Sequence, residues 1–355
     1  MKIKSVKYWT ENLELTRPYT IAYQTIDSVE NVFVRIDGEN GLFGLGSASP
    51  ADFVTGETFE DCTEALEKSL ERLLIGKDIC LLTELCRKLE ENMSGTPAAM
   101  AAADIALHDL FAKYLKIPLV DLLGRVHRSM PTSITIGIKS VVEAIEEAKE
   151  YIDRKFKILK VKIGKSLEED IEVIRKLREN VGNSVDIRVD ANQGYRIKDL
   201  KKFFERTKKL NIEFMEQPLK ADNINDMFEL KEIYRKKIAA DESLHYPADA
   251  LKLSNTPHPF GIYNIKLMKC GGIRNAKRIS EIAELAGIDL MWGCMDESII
   301  SISAALHAAF ASVTTKYLDL DGSLDLARDI VEGGFELKDG HMTIVEKSGL
   351  GVTLV

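Results

Sequence analysis

The sequence predicts an α/β protein built on a (β/α)8-type barrel of parallel strands, with an N-terminal α+β capping domain that the C-terminal segment completes. Three observations predict it. From about residue 131, short apolar strands alternate with amphipathic helices. Their candidate ends are Ile138, Lys162, Asp190, Glu216, Asp241, Lys266, Gly293 and Asp319, a nearly constant spacing of roughly 26 residues. Ahead of them stands a block of strands followed by a block of helices, the order expected of a small α+β domain. Behind them, from Glu332, strand-like text returns with turns at Gly333-Gly334 and Asp339-Gly340. An open doubly wound sheet is the alternative, but it does not require eight equal units, and no G-x-G-x-x-G follows the first strand. The expected domains are the cap at 1–125, the barrel at 126–322, and a segment at 323–355 packing back on the cap.

Within the cap, Val29–Ile36 is rich in β-branched residues, Glu39-Asn40-Gly41 turns, and Leu42–Ala48 continues, which makes a hairpin. Thr58–Ile75, Leu81–Glu91 and Pro97–Lys116 carry helical periodicity, and Thr96-Pro97 is a good helix start. Leu123-Gly124 is the exit from this domain. In the barrel, helices are expected over Glu169–Asn180, Lys198–Leu210, Asn225–Lys236, Arg274–Ala286 and Ser298–Ser312.

The 355 residues are 45% hydrophobic and 29% charged, ordinary for a soluble protein with a sizeable core. A net charge of -8 argues against nucleic acid as a partner, since gripping phosphates needs a basic face. The basic start Met1–Lys7 is followed by no apolar run, and no stretch approaches the roughly 18 apolar residues of a membrane span. A cytoplasmic homo-oligomer is the expectation. The five cysteines are odd in number and form no C-x-x-C pair, which argues against a disulfide framework or a thiolate zinc site.

Ionisable residues stand where a barrel places its chemistry, at the C-terminal ends of the strands. Three successive strands close with carboxylates, Asp190, Glu216 and Asp241. Neighbouring strands lie about 4.8 Å apart, so these side chains can converge. Converging carboxylates repel unless a cation sits among them, and hard oxygen donors without clustered His or Cys favour Mg²⁺. In the second strand, Ile158–Gly164, alternation turns Leu159, Val161 and Ile163 to the helices and Lys160 and Lys162 to the lumen. Mutual repulsion and desolvation are expected to depress at least one of these lysine pKa values, as a general base requires. Lys266 ends the sixth strand, four places round the ring from the second. It would face Lys162 across the lumen, one base on each side of a substrate carbon.

These residues resemble the enolase superfamily, muconate-lactonizing branch, and most closely its dipeptide epimerases. The resemblance runs nearly the whole length, including Ala101-Ala102-Ala103-Asp104-Ile105-Ala106-Leu107-His108-Asp109 and Leu119–Gly124. It implies that Lys160-Val161-Lys162 is a K-x-K motif, with Lys162 an acid/base and Lys160 assisting at the substrate carboxylate. Lys266 is the opposing acid/base. Asp190-Ala191-Asn192, Glu216-Gln217-Pro218 and Asp241-Glu242-Ser243 resemble the magnesium-ligand motifs of a superfamily known for a Lys or His base beside Mg²⁺ and an ene-diolate. Asp319 and Asp321, in Leu318–Gly322, resemble the pair that binds a dipeptide's α-ammonium group. Met295 and Asp296, in Cys294–Ser298, resemble the text lining the dipeptide pocket. Thr135 in the first strand and Gln24 in the Pro18–Gln24 loop are further substrate-binding candidates.

The activity implied is Mg²⁺-dependent inversion of the second residue of an L-Ala-Xaa dipeptide. Some relatives acting on Ala-Glu carry an arginine where Gln24 aligns, so a neutral or apolar second residue is expected over an acidic one. The rivals are a muconate cycloisomerase or an o-succinylbenzoate synthase of the same branch, neither of which needs an ammonium site, and a non-catalytic scaffold. The six histidines form no metal-binding pattern.

Overall fold

The computed structural model describes residues 1–16, 19–20, 25–26 and 29–355. In the cap, strands Ile3–Asn12, Glu30–Gly38 and Phe43–Ala48 form an antiparallel sheet in that order. Helix Pro97–Leu115 lies on it with almost no space between the backbones. A Cβ added at Gly46 would stand 1.9 Å from the Ala102 carbonyl oxygen, and one at Gly44 would stand 2.1 Å from that of Ala106. Small residues on both elements, Gly44 and Gly46 against Ala98–Ala106, permit this approach.

The same helix starts at Pro97, and Thr96 supplies no side-chain cap. Glu57 caps it from outside instead, its buried carboxylate accepting from the Ala98 N–H at 2.5 Å. Burial, opposed by the N–H donors of Ala98 and Ala99, pushes this carboxyl up from 4.5 to about 8. Between those two values the folded protein holds a proton that the unfolded chain releases, so this group's contribution to stability falls as pH rises. Glu57→Gln is therefore expected to flatten the decline in Tm between about pH 5 and about pH 8, an effect on the order of a few kcal/mol. Thermal unfolding across that range checks it.

The barrel strands are Ile134–Ile136, Ile158–Lys162, Asp186–Asp190, Ile212–Glu216, Ile238–Ala240, Ile262–Ile265, Asp289–Gly293 and Thr315–Asp319. All pair in parallel with their neighbours in chain order. A bridge between Thr132 and Leu318 brings the last strand round to the first. Seven of the eight ends lie within a residue of expectation. The first strand stops at Ile136 rather than Ile138. The helix expected over Asn225–Lys236 is two pieces, a 3-10 segment Ala221–Glu229 and a turn Glu232–Arg235. Buried Arg235 explains the break: it donates to the Leu230 carbonyl at 2.6 Å and to that of His258 at 2.9 Å, taking an acceptor that a continuous helix uses internally.

Beneath the strand ends the lumen is closed. Phe214, Ala239, Ile262 and Met291 form a small apolar cluster with Tyr317 against it. Arg188 is buried over the Phe214 and Tyr317 rings, paired with Glu213 at 2.7 Å and donating to the Leu318 carbonyl at 2.8 Å. A buried guanidinium survives only with such partners. The C-terminal segment pairs with itself and with Ser129–Pro131. It also touches the cap, where the Leu350 N–H reaches Asp109 at 2.8 Å.

Candidate active site

Strand register sets the charged residues side by side: Lys162 is opposite Asp190, Asp190 opposite Glu216, and Gly293 opposite Asp319. Asp190, Glu216 and Asp241 are all buried, as are Lys160 and Lys266. Lys160 Nζ sits among three acids, 2.7 Å from Asp319, 2.8 Å from Glu216 and 3.3 Å from Asp190. Lys162 Nζ contacts Asp190 at 2.7 Å and Lys266 Nζ contacts Asp241 at 2.7 Å.

Each of the three carboxylates divides its oxygens in the same way. One oxygen is held by a donor outside the K-x-K and Lys266 set: Asp190 Oδ1 by the Asn192 N–H at 2.9 Å, Glu216 Oε1 by Asn264 Nδ2 at 2.7 Å, and Asp241 Oδ1 by Lys269 Nζ. The other oxygen faces a lysine of that set. Glu216 Oε2, although close to Lys160, is buried and receives no directed hydrogen bond. Three buried carboxylate oxygens that face lysines and are held by no neutral donor suit a hard divalent cation.

Among the described residues, only Cys86, Asp104 and His108 bring three metal-type ligand atoms within 4.8 Å of one another. That group is in the cap, where Asp104 already accepts from the Ile273 N–H at 2.7 Å. In the barrel trio, Lys160 Nζ lies within 3.3 Å of both Asp190 and Glu216, and Lys266 Nζ contacts Asp241.

The expected depression of a lysine pKa in the K-x-K pair is overturned for Lys160. Burial pulls its pKa down, but Asp319, Glu216 and Asp190 outweigh burial and hold it well above the ordinary range. Lys266 is likewise raised, burial being outweighed by Asp241 and then Glu216. Three carboxylates lie within 3.3 Å of the Lys160 ammonium, and their attraction decides its charge state. The carboxylates' own values split. Burial and then neighbouring Asp190 push Glu216 up to about 8, whereas Lys266 and Lys269 hold Asp241 well below its usual range against burial.

Two cavities meet at the lysines. One, of about 300 Å³, runs toward the cap and is lined by Glu30, Ala51, Phe53, Glu242, Lys162 and Lys266 among others. The other, of about 90 Å³, runs toward the eighth strand and includes Thr135, Lys160, Asp319, Asp321 and Asp325. Lys162, Lys266, Met295 and Asp296 line both.

The Asp-x-Asp pair is not symmetric. Asp319 is engaged by Ser133 Oγ at 2.5 Å and by Lys160. Asp321 accepts from the Thr135 N–H at 2.7 Å, and burial, then Asp319, push it up to about 7. Thr135 thus orients Asp321 through its backbone. Gln24 lies outside the described residues.

Sequence reasoning assigned no role to Lys269, Asn264, Asn192 or Asp325. Asn192 closes the Asp190-Ala191-Asn192 motif, and Lys269 follows Lys266 by one helical turn (Leu267–Cys270). That spacing was the available signal.

Comparison with known proteins gives the family. Residues 3–124 match the mandelate racemase / muconate lactonizing enzyme N-terminal domain, and residues 143–355 match the enolase C-terminal domain-like family. An L-Lys-D/L-Arg epimerase of Desulforapulum autotrophicum is 56% identical over 99% of both chains. A dipeptide epimerase of Methylococcus capsulatus, solved with Mg and L-Arg-D-Lys, has a TM-score of 0.98 at 52% identity, covering 99% of this chain and 100% of its own. One from Enterococcus faecalis, solved with Mg and L-Leu-L-Tyr, has a TM-score of 0.94 at 35% identity, with 99% and 100% covered.

Proposed function

The chain belongs to the enolase superfamily, in its mandelate racemase and muconate lactonizing group, and on that premise we propose that it is a Mg²⁺-dependent epimerase of cationic dipeptides, inverting the α-carbon of the second residue. The observation that carries this reading is that three buried carboxylates pair with lysines of different strands, and that two of those lysines, Lys162 and Lys266, line a cavity together with Asp321. Asp190, Glu216 and Asp241 would hold the ion through their lysine-facing oxygens. A magnesium ion held there would supply positive charge against the charge developing on the substrate carboxylate.

The chain's own groups do the rest. Lys162 or Lys266 removes the proton, and the other returns one from the opposite face. Lys160 contacts the substrate carboxylate. Asp321, oriented by Thr135, takes the α-ammonium group, while Asp319 holds Lys160 in place. Met295 and Asp296 line the substrate on the seventh-strand side, and the Asp52–Thr55 turn covers it. The enzyme would act in the cytoplasm, where its free cysteines stay reduced, as a homo-oligomer.

The substrate reading shifts from the alanine-first, neutral-second dipeptide expected of the sequence. The two relatives at more than 50% identity carry basic dipeptides in their names, and carboxylates of Glu30, Asp296 and Asp325 line the cavities. A cycloisomerase or o-succinylbenzoate synthase has no need of Asp321. The test is kcat/KM over L-Lys-L-Arg, L-Ala-L-Glu, L-Leu-L-Tyr and cis,cis-muconate. Basic dipeptides are expected to lead by about tenfold or more; turnover of muconate alone would overturn the reading. Asp321→Asn is expected to raise KM by about 10- to 100-fold, the worth of a charge-assisted contact to the ammonium group, with kcat the less affected parameter.

A further inference from the structure

Lys269 is a buried cation with no part in the chemistry proposed above. Its Nζ donates to Asp241 Oδ1, to the Asp241 carbonyl at 2.7 Å and to the Asn264 carbonyl at 3.1 Å. An ammonium has three protons to donate, and all three are placed. The side chain is 1% exposed, so no water competes for it. It is therefore fixed, and it fixes Asp241. Among the donors that hold the far oxygens of the three carboxylates, those on Asp190 and Glu216 are neutral amides. Only Asp241 is held by a cation, and only Asp241 has a lysine on each oxygen.

We propose that Lys269 is a positioning residue that keeps Asp241 Oδ1 occupied, so that magnesium and Lys266 compete for the single remaining oxygen, Oδ2. With Asp241 engaged by a cation there, Lys266 would be released from it to reach the substrate carbon. Without Lys269 the carboxylate offers two oxygens, one for the ion and one for Lys266, and Lys266 stays engaged. The inference rests on the magnesium reading above. Its consequence is one-sided: Lys162 contacts Asp190, not Asp241, so proton exchange on its face of the substrate is spared.

The test is Lys269→Met with Mg²⁺ in D₂O, measuring α-proton exchange of L-Lys-L-Arg and L-Lys-D-Arg separately, alongside Mn²⁺ affinity by EPR. Exchange of the isomer that Lys266→Ala also loses is expected to fall about tenfold or more beyond that of the other isomer. A rise in the Mn²⁺ Kd of about 10- to 100-fold, usual when a group orienting a metal ligand is lost, would weaken exchange of both isomers alike, so exchange is compared at saturating metal. Lys269→Gln, which keeps an N–H donor, should fall between. An equal loss in both isomers marks a merely structural role and overturns the proposal, as does no loss. Should neither variant fold, a crystal structure of the wild-type protein grown with Mg²⁺ decides. An ion on Asp241 Oδ2, with Lys269 still on Oδ1 and Lys266 moved away, supports the proposal. An ion on Oδ1, or Lys266 still on Oδ2, overturns it. Failure of the underlying reading is separately visible, because wild type then shows no magnesium-dependent exchange of either isomer.

Discussion

Lys162→Ala and Lys266→Ala are each expected to abolish epimerisation, lowering it by about 10³-fold or more, while each retains α-proton exchange of one isomer only. Inversion needs a base on one face of the carbon and an acid on the other, and a positioned acid/base supplies about 10²- to 10⁴-fold. The structure brings the two amines to the same pair of cavities from strands Ile158–Lys162 and Ile262–Ile265. Removing either leaves the other able to take and return a proton on its own face. Chiral chromatography measures inversion and mass spectrometry in D₂O measures exchange. Identical losses of exchange for both isomers in either variant would contradict the assignment.

Asp241→Asn carries the second large effect, on stability as well as on activity. In the folded protein Asp241 is the carboxylate of two buried cations, Lys266 at 2.7 Å and Lys269. The amide keeps the shape and loses the charge. Removing one partner of a buried pair costs about 3 to 5 kcal/mol because the remaining charge is left uncompensated. Lys266 retains the attraction of Glu216, whereas Lys269 has two carbonyl oxygens and no second carboxylate within salt-bridge distance among the described residues. Urea unfolding is expected to show that loss at neutral pH, and Mg²⁺-dependent activity should vanish with it. A variant as stable as wild type would mean that Lys269 is held by its carbonyls alone.

The barrel and its charged rim were legible because strand ends recur regularly and period-2 alternation assigns faces. Lys160, Lys162, Asp190, Glu216, Asp241 and Lys266 could all be placed before any coordinates. Their charge states could not. A lysine's pKa depends on which groups lie within a few ångströms, and the Lys160–Asp319 contact joins residues far apart in the chain. Lys269 escaped notice for a related reason: it lies on a short helical turn after the strand, outside the alternation that picks out lumen-facing residues. The broken helix near Leu230 was illegible because the Arg235 side chain, rather than a Pro or Gly, ends it. Asp319 and Asp321 read as an equivalent pair in sequence, and only the Ser133, Lys160 and Thr135 contacts separate them.

The most direct test of the account is a proton NMR record of L-Lys-L-Arg incubated with the wild-type protein in D₂O, with Mg²⁺ and again with excess chelator. The expected result is loss of the arginine α-proton signal together with appearance of L-Lys-D-Arg, an intact lysine α-proton, and no change in the chelated sample. Exchange that persists under chelation, or deuterium entering the first residue instead of the second, would contradict it.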